Sequence, residues 1–310
     1  FKAGALPGLS LNARVKNIFL GLSNKSKSVD CSEDTNDSKT NTVHVGLSRI
    51  ATKLLYKSWS FIKNYRQLNK FPPSFIGLLA GSKSIDRYTG KSNPIIWVGS
   101  NDYHTFNKVK SKFVLNKNCK AEDFILFIDD GVSGAYDWAL LGLKQPVTDA
   151  LYYPALNNFF EKIESIYDMP VKIAGHPNQE ADENYQSKMG GRSVVFGNTA
   201  LMALQSTIAL VHGSTAISFA VLARKPIISL TSQELDQTFF GLFVREMSNA
   251  LGSPLVFIDQ VGKQINDLKK LVVDEKKYSL YEANYLCNEL STEIEPWGAF
   301  INFVNENRFV

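Results

Sequence analysis

Three short groups in this sequence carry side chains suited to moving a proton and holding an anion: Asp129-Asp130-Gly131, His176-Pro177 and Gly213-Ser214-Thr215. A carboxylate can take a proton from an attacking hydroxyl. An imidazole can donate to a charged oxygen or a leaving group, and two hydroxyls add further donors. Each group follows an apolar run: FILFI before the acids, VKIAG before the histidine, and TIALVH before Gly213. Short apolar runs without polar alternation read as strands buried on both faces. In an open parallel sheet, ligands bind beyond the carboxyl ends of the strands, so the three groups would share one crevice.

Taken singly, each group has a plainer account. Asp and Gly favour turns, a histidine at a strand end is commonly structural, and Ser or Thr ahead of a helix is first of all an N-cap. What singles them out is their recurrence at equivalent places. Successive side chains of an extended segment point opposite ways. One of Asp129 and Asp130 is therefore expected to enter the crevice while the other holds the turn, and the residues alone do not say which. Two neighbouring carboxylates would also raise the pKa of one of them. STAISFAVLAR reads as a helix whose first N–H groups and positive dipole end, at Ser214 and Thr215, would cradle a phosphate. A base, a phosphate cradle and a hydrogen-bond donor suit glycosyl transfer from a nucleotide sugar. No metal or other cofactor is required by that set, and the sequence has no Asp-x-Asp motif.

The elements that must position these groups alternate in type. After residue 123 the order is strand DFILFID, helix LYYPALNNFFEKIESIYD, strand PVKIAGH, short strand RSVVFG, helix NTALMALQS, strand TIALVHG and helix STAISFAVLAR. Then come strand KPIISL, one helix over SQELDQTFFGLFVREMSNAL, strand PLVFI and further helices. This predicts an α/β protein with a doubly wound parallel sheet over residues 123–310. Residues 1–122 read as a second, less regular α/β domain on the acceptor side, incomplete at its start, with SFIGLLAG and NPIIWVGS as strands and VGLSRIATKLLYKSWSFIKNY as a helix. Residues 24–42 are almost wholly polar and read as a mobile loop. Thr199, in FGNT at another strand-to-helix junction, is a further candidate for nucleotide contact, although an N-cap at Asn198 or Thr199 explains it as well.

Bulk properties exclude several classes. The net charge of +4 on 310 residues does not demand nucleic acid, and no apolar run reaches membrane-spanning length. Three scattered cysteines, Cys31, Cys119 and Cys287, lack metal-ligand spacing and suit a reducing, cytoplasmic compartment. FKAGALPGLSL does not read as a signal peptide, and a start at Phe1 reads as a piece lacking an upstream segment.

The ordered set DDG, HP and ST resembles the three short motifs of bacterial sialyltransferases and polysialyltransferases. The text STAISFAVLARKPIISLTSQEL is similar to capsule and surface-polysaccharide transferases of the GT-B type. The resemblance covers roughly residues 94–235. It implies two Rossmann-like domains and a CMP-activated acidic sugar as donor, sialic-acid-like or Kdo, with a glycan or lipid-linked glycan as acceptor. It implies Asp129 or Asp130 as general base, and His176, Ser214 and Thr215 on the CMP phosphate, with Pro177 and Gly213 beside them. GSNDYHTF adds Asp102 and His104 as lesser candidates. The motifs leave inversion against retention open. A UDP- or GDP-sugar donor, or a non-catalytic nucleotide- or glycan-binding domain of a polysaccharide assembly complex, are the competing readings. The five lysines of KVKSKFVLNKNCK form a solvated face or, more sharply, a contact with anionic lipid at the inner membrane face.

Overall fold

The computed structural model describes residues 76–85, 94–115, 123–134 and 144–307, apart from 261, 263–267 and 292, together with 138 and 142. The helix expected over 45–65 and the polar loop 24–42 lie outside the described residues, as do Cys31 and Cys119. Leu78–Ser84 and Ile96 onward belong to one compact unit, which carries the six-stranded sheet and the candidate site.

Strands β1 (Gly77–Leu79) and β2 (Ile95–Trp97) fall where the sequence places them, and the Val98 N–H donates to Leu79 O. The six other strands are β3 (Ile125–Ile128), β4 (Val171–Ala174), β5 (Val194–Val195), β6 (Ile208–Val211), β7 (Ile227–Thr231) and β8 (Leu255–Phe257). They form one sheet in the order β5-β4-β3-β6-β7-β8, with every pair parallel. The expected α/β class and doubly wound parallel sheet are therefore observed. Strand order reverses between β3 and β6, with β4 and β5 added on one side and β6 to β8 on the other, which makes the gap beyond their carboxyl ends the topological switch point.

Both faces of the sheet are covered, which is why the strands lack polar alternation. Ile125, Phe127, Ile173, Leu210 and Leu230 point to one side, where helix α2 (Asp149–Tyr167) buries Leu156, Phe159, Phe160 and Ile163 against them. Leu126, Ile128, Ala209 and Val211 point to the other, against α4 (Thr199–Gln205) and α5 (Ile217–Leu222). Helix α1 (Asn101–Leu115), ahead of residue 123, packs on α4 and α5. A short helix, α3 (Tyr185–Lys188), lies between β4 and β5. Pro170, Pro226 and Pro254 stand at the entrances of β4, β7 and β8, and their carbonyls accept the first ladder bonds from Ile125, Ala209 and Ser229. A strand's first position is where a proline, lacking an N–H, costs no ladder bond.

Two helices depart from the sequence reading. The single helix expected over residues 232–251 is broken into α6 (Gln233–Asp236) and α7 (Phe239–Leu251). Thr238 caps α7 by accepting from the Gly241 N–H, and Gly241 lies so close to Leu235 and Asp236 that a Cβ would sit 2.3 Å from the Leu235 carbonyl oxygen. The helix expected from Ser214 begins at Ile217 and is six residues long. The segment ahead of it is a tight turn with bonds from Ile217 to Ser214 O, Ser218 to Thr215 O and Phe219 to Ala216 O. The chain closes with α8 (Glu275–Tyr281) and α9 (Pro296–Glu306), and among the described residues no helix is long and apolar enough to cross a membrane.

Candidate active site at the sheet switch point

The register brings the three groups to one level. Ile128 pairs with Ala174 on one side and Val211 on the other. Two residues further along each chain stand Asp130, His176 and Gly213, so these three leave adjacent strands side by side at the rim.

The two acids take different roles because they face opposite ways. Asp129 is 7% exposed and fully engaged: Oδ1 accepts from the Gly131 N–H at 3.1 Å and Oδ2 from the Tyr185 hydroxyl at 2.7 Å. The turn is completed by Gly131 at φ 66°, a left-handed conformation that glycine adopts without strain. Asp130 crosses the switch point, and its Oδ2 accepts from the Gly213 N–H at 2.7 Å. The residue is partly exposed, yet its Oδ1 is shut off from solvent and has no hydrogen-bond partner among the described residues. Burial, and next the charge of Asp129, push Asp130 up to about 7, against the opposing effects of the Gly213 N–H and of His176. A carboxylate so placed changes charge near neutrality and keeps one oxygen unclaimed.

His176 caps the short turn Pro177–Gln179 that follows β4, its Nδ1 accepting from the Asn178 N–H at 3.3 Å. That bond assigns the proton of a neutral ring to Nε2, leaving a donor for an oxygen. Pro177 takes the first position of the turn, where a missing N–H costs nothing. Gln179, buried behind it, donates to Ser133 O at 2.8 Å and so ties this turn to the loop after β3.

At the third group the helix N-terminus expected at the two hydroxyls lies further along the chain, at Ile217. The helix begins after the hydroxyls, the Gly213 N–H is spent on Asp130, and the Ser214 Oγ accepts from the Ala216 N–H within the turn. What remains is a turn carrying the Ser214 and Thr215 side chains, without a long dipole behind it. Gly213 allows close approach: a Cβ there would lie 2.7 Å from Phe240 Cζ and 2.9 Å from Phe243 Cδ1.

Thr199 lies on the same rim, past the strand that neighbours that of His176. It opens α4 beyond β5, two strands from β3, and no described hydrogen bond joins it to Asp130, His176 or Ser214. Asn198 holds the cap position but its side chain makes no capping bond. Asp102, by contrast, is drawn toward the third group. It interacts with Ser218, whose Oγ donates to Thr215 O at 2.8 Å, and burial raises its pKa to about 6. His104 Nε2 is buried and unpartnered among the described residues, and desolvation lowers the ring's pKa. Metal-holding groups of three or more His, Cys, Asp or Glu residues are absent among the described residues.

Sequence reasoning missed two supporting side chains. His212 is fully buried; its Nδ1 donates to Leu230 O at 2.8 Å and its Nε2 accepts from the Tyr152 hydroxyl at 2.9 Å. Desolvation lowers it to about 4, so it is neutral and structural. Its position beside Gly213 was the signal that could have found it. Tyr185 has no such signal, because it meets Asp129 from 56 residues away.

No protein-family model matches this sequence. No curated protein matches it either. Among solved structures the chain is similar to Methanocaldococcus jannaschii UDP-GlcNAc 2-epimerase in complex with UDP-GlcNAc and UDP, at 12% identity and a TM-score of 0.42, over 74% of this chain and 60% of that one. It is similar to the wall teichoic acid polymerase TagF at 12% identity and a TM-score of 0.44, over 79% and 61% of the two chains. For S. aureus MnaA in its UDP co-structure the values are 15% and 0.41, over 76% and 59%. This chain thus spans about three-fifths of the length of each of them. Likeness at this level does not assign an activity, and the chemistry rests on the groups gathered where the strand order reverses.

Proposed function

We propose that this chain transfers an acidic sugar from a CMP-activated donor to a hydroxyl of a glycan acceptor, in the assembly of a bacterial surface polysaccharide. The observation that carries the reading is Asp130: a carboxylate at the switch point of a Rossmann-type sheet, with one buried, unpartnered oxygen and a pKa of about 7. In the proposed step the acceptor oxygen bonds to the anomeric carbon and its proton passes to Asp130. The bond from that carbon to the phosphate oxygen breaks, and the electron pair leaves with CMP. His176 Nε2–H and the hydroxyls of Ser214 and Thr215 support the charge that develops on the phosphate. The donor domain lies over 123–310, and no metal takes part. Lysines of α1 would hold the enzyme peripherally at the inner face of the membrane when the acceptor is lipid-linked.

Thermal-shift titration with CMP, UMP and GMP tests the donor. Selective stabilisation by CMP is expected, since a ligand that binds only the native state raises its stability. Stabilisation by UMP or GMP alone would discard the CMP assignment and keep nucleotide-sugar transfer. Nucleotide binding without transfer to any glycan would leave a binding domain.

A further inference from the structure

A cavity of about 900 Å³ opens beside the start of α2, lined by residues 144–150 and by Gln233, Glu234, Gln237 and Thr238. It stands at the carboxyl-end rim of the same sheet, between the loop that follows β3 and the turn that follows β7. Its walls are held from outside their own elements. Glu234 accepts from the Thr148 N–H at 2.9 Å and from the Thr148 hydroxyl at 2.8 Å, so a residue of α6 caps the first turn of α2. Asp149 Oδ1 accepts from the Ser133 hydroxyl and from Gln145 Nε2, both at 2.6 Å. Ser133, three residues beyond Asp130, also has its carbonyl bonded to Gln179 of the turn after His176. The cavity wall, the acid loop and the histidine turn are thus one hydrogen-bonded unit.

We propose that this cavity is the subsite for the saccharide acceptor, an inference that rests on the glycosyl-transfer reading above. The lining chemistry selects the ligand. Three amides, which both donate and accept, match the paired donor and acceptor character of sugar hydroxyls. Pro146, Val147 and Ala150 offer apolar surface to the C–H face of a ring. Gln233 and Gln237 are exposed, and their side-chain amides have no partner among the described residues. Asp149 and Glu234 outnumber Lys144, so the cavity disfavours a phosphate or an acidic donor sugar and favours a neutral saccharide. The bonded link through Ser133 gives occupancy of the cavity a route to the position of Asp130.

Saturation-transfer NMR on the full chain tests this, with lactose and N-acetyllactosamine as neutral probes and an α-2,8-linked sialic acid trimer as an anionic one. Signal is expected for the neutral probes. It should fall at least about tenfold in affinity in Q233A/Q237A, with the thermal shift by CMP and the melting temperature unchanged. Q237E, which adds a third carboxylate, should weaken the neutral probes less than it weakens the trimer. Absence of signal from both neutral probes at millimolar concentration, or an unaltered signal in Q233A/Q237A, overturns the inference. So does a trimer that binds better than the neutral probes. If CMP, UMP and GMP all fail to stabilise the chain while lactose still binds in a Gln233- and Gln237-dependent way, the transferase reading falls and the saccharide site stands.

Discussion

The Asp130 carboxylate accepts the backbone N–H of Gly213 at 2.7 Å, across the point where the strand order reverses and between residues 83 apart in sequence. This bond joins the acid group to the hydroxyl group and engages Oδ2, while Oδ1 stays buried without a partner among the described residues.

Asp130→Asn removes the proton acceptor while keeping an oxygen for Gly213. Transfer from a CMP-sugar should drop by at least about 100-fold, the usual scale of a lost general base, with the CMP thermal shift retained. Asp129→Asn should act on stability instead. Its amide replaces an acceptor of the Tyr185 hydroxyl and the Gly131 N–H, at a cost of about 1–3 kcal/mol by urea unfolding. Wild-type turnover in Asp130→Asn would remove that residue from the mechanism.

The pH dependence follows from the raised pKa of Asp130, about 7 against an unperturbed 3.8. Activity limited by this base should rise with pH and level off above about 7.5. For stability, the folded state holds a proton that the unfolded chain has released, so the contribution is full below pH 3.8 and is lost as pH rises through 7. Each tenfold difference in proton affinity is worth about 1.4 kcal/mol. Unfolding between pH 4 and 8 should show this decline in the wild type and a flatter profile in Asp130→Asn.

Gly213→Ala places a methyl against the rings of Phe240, a core residue, and Phe243, which packs on the core. Overpacking of this kind costs about 1–3 kcal/mol. Because the displaced backbone carries the N–H that holds Asp130, nucleotide affinity and transfer should fall beyond the loss in melting temperature. A variant that melted and turned over as the wild type would show the approach to be slack.

The two histidines should separate cleanly. His212→Ala leaves the Leu230 carbonyl and the Tyr152 hydroxyl unpaired in the core, costing about 1–3 kcal/mol for each buried group left unsatisfied. His176→Ala should leave unfolding nearly unchanged and weaken the CMP shift. The opposite pattern would reverse the roles given to them.

Much of the architecture was legible because its signals are local. Runs such as ILFI and IALV, apolar at every position, announced two-sided burial, and the strand ends followed from them. That the two adjacent acids would part ways followed from strand geometry. Which one enters the crevice was not legible, because Tyr185 and Gly213 decide it from 56 and 83 residues away. The break between α6 and α7 escaped because the sequence there is helical in period, and the contact of Gly241 with Leu235 is tertiary. The short helix after β6 escaped for a related reason: serine and threonine caps look alike whether they open a helix or close a turn.

The prolines at the entrances of β4, β7 and β8 mark the rim opposite the chemistry, where the chain arrives at the sheet without committing a functional side chain. That end is a handle. Fluorophores, affinity tags or surface tethers attached in the connections leading into Pro170, Pro226 or Pro254 should report on the protein, or immobilise it, while leaving the rim that carries Asp130 and His176 open.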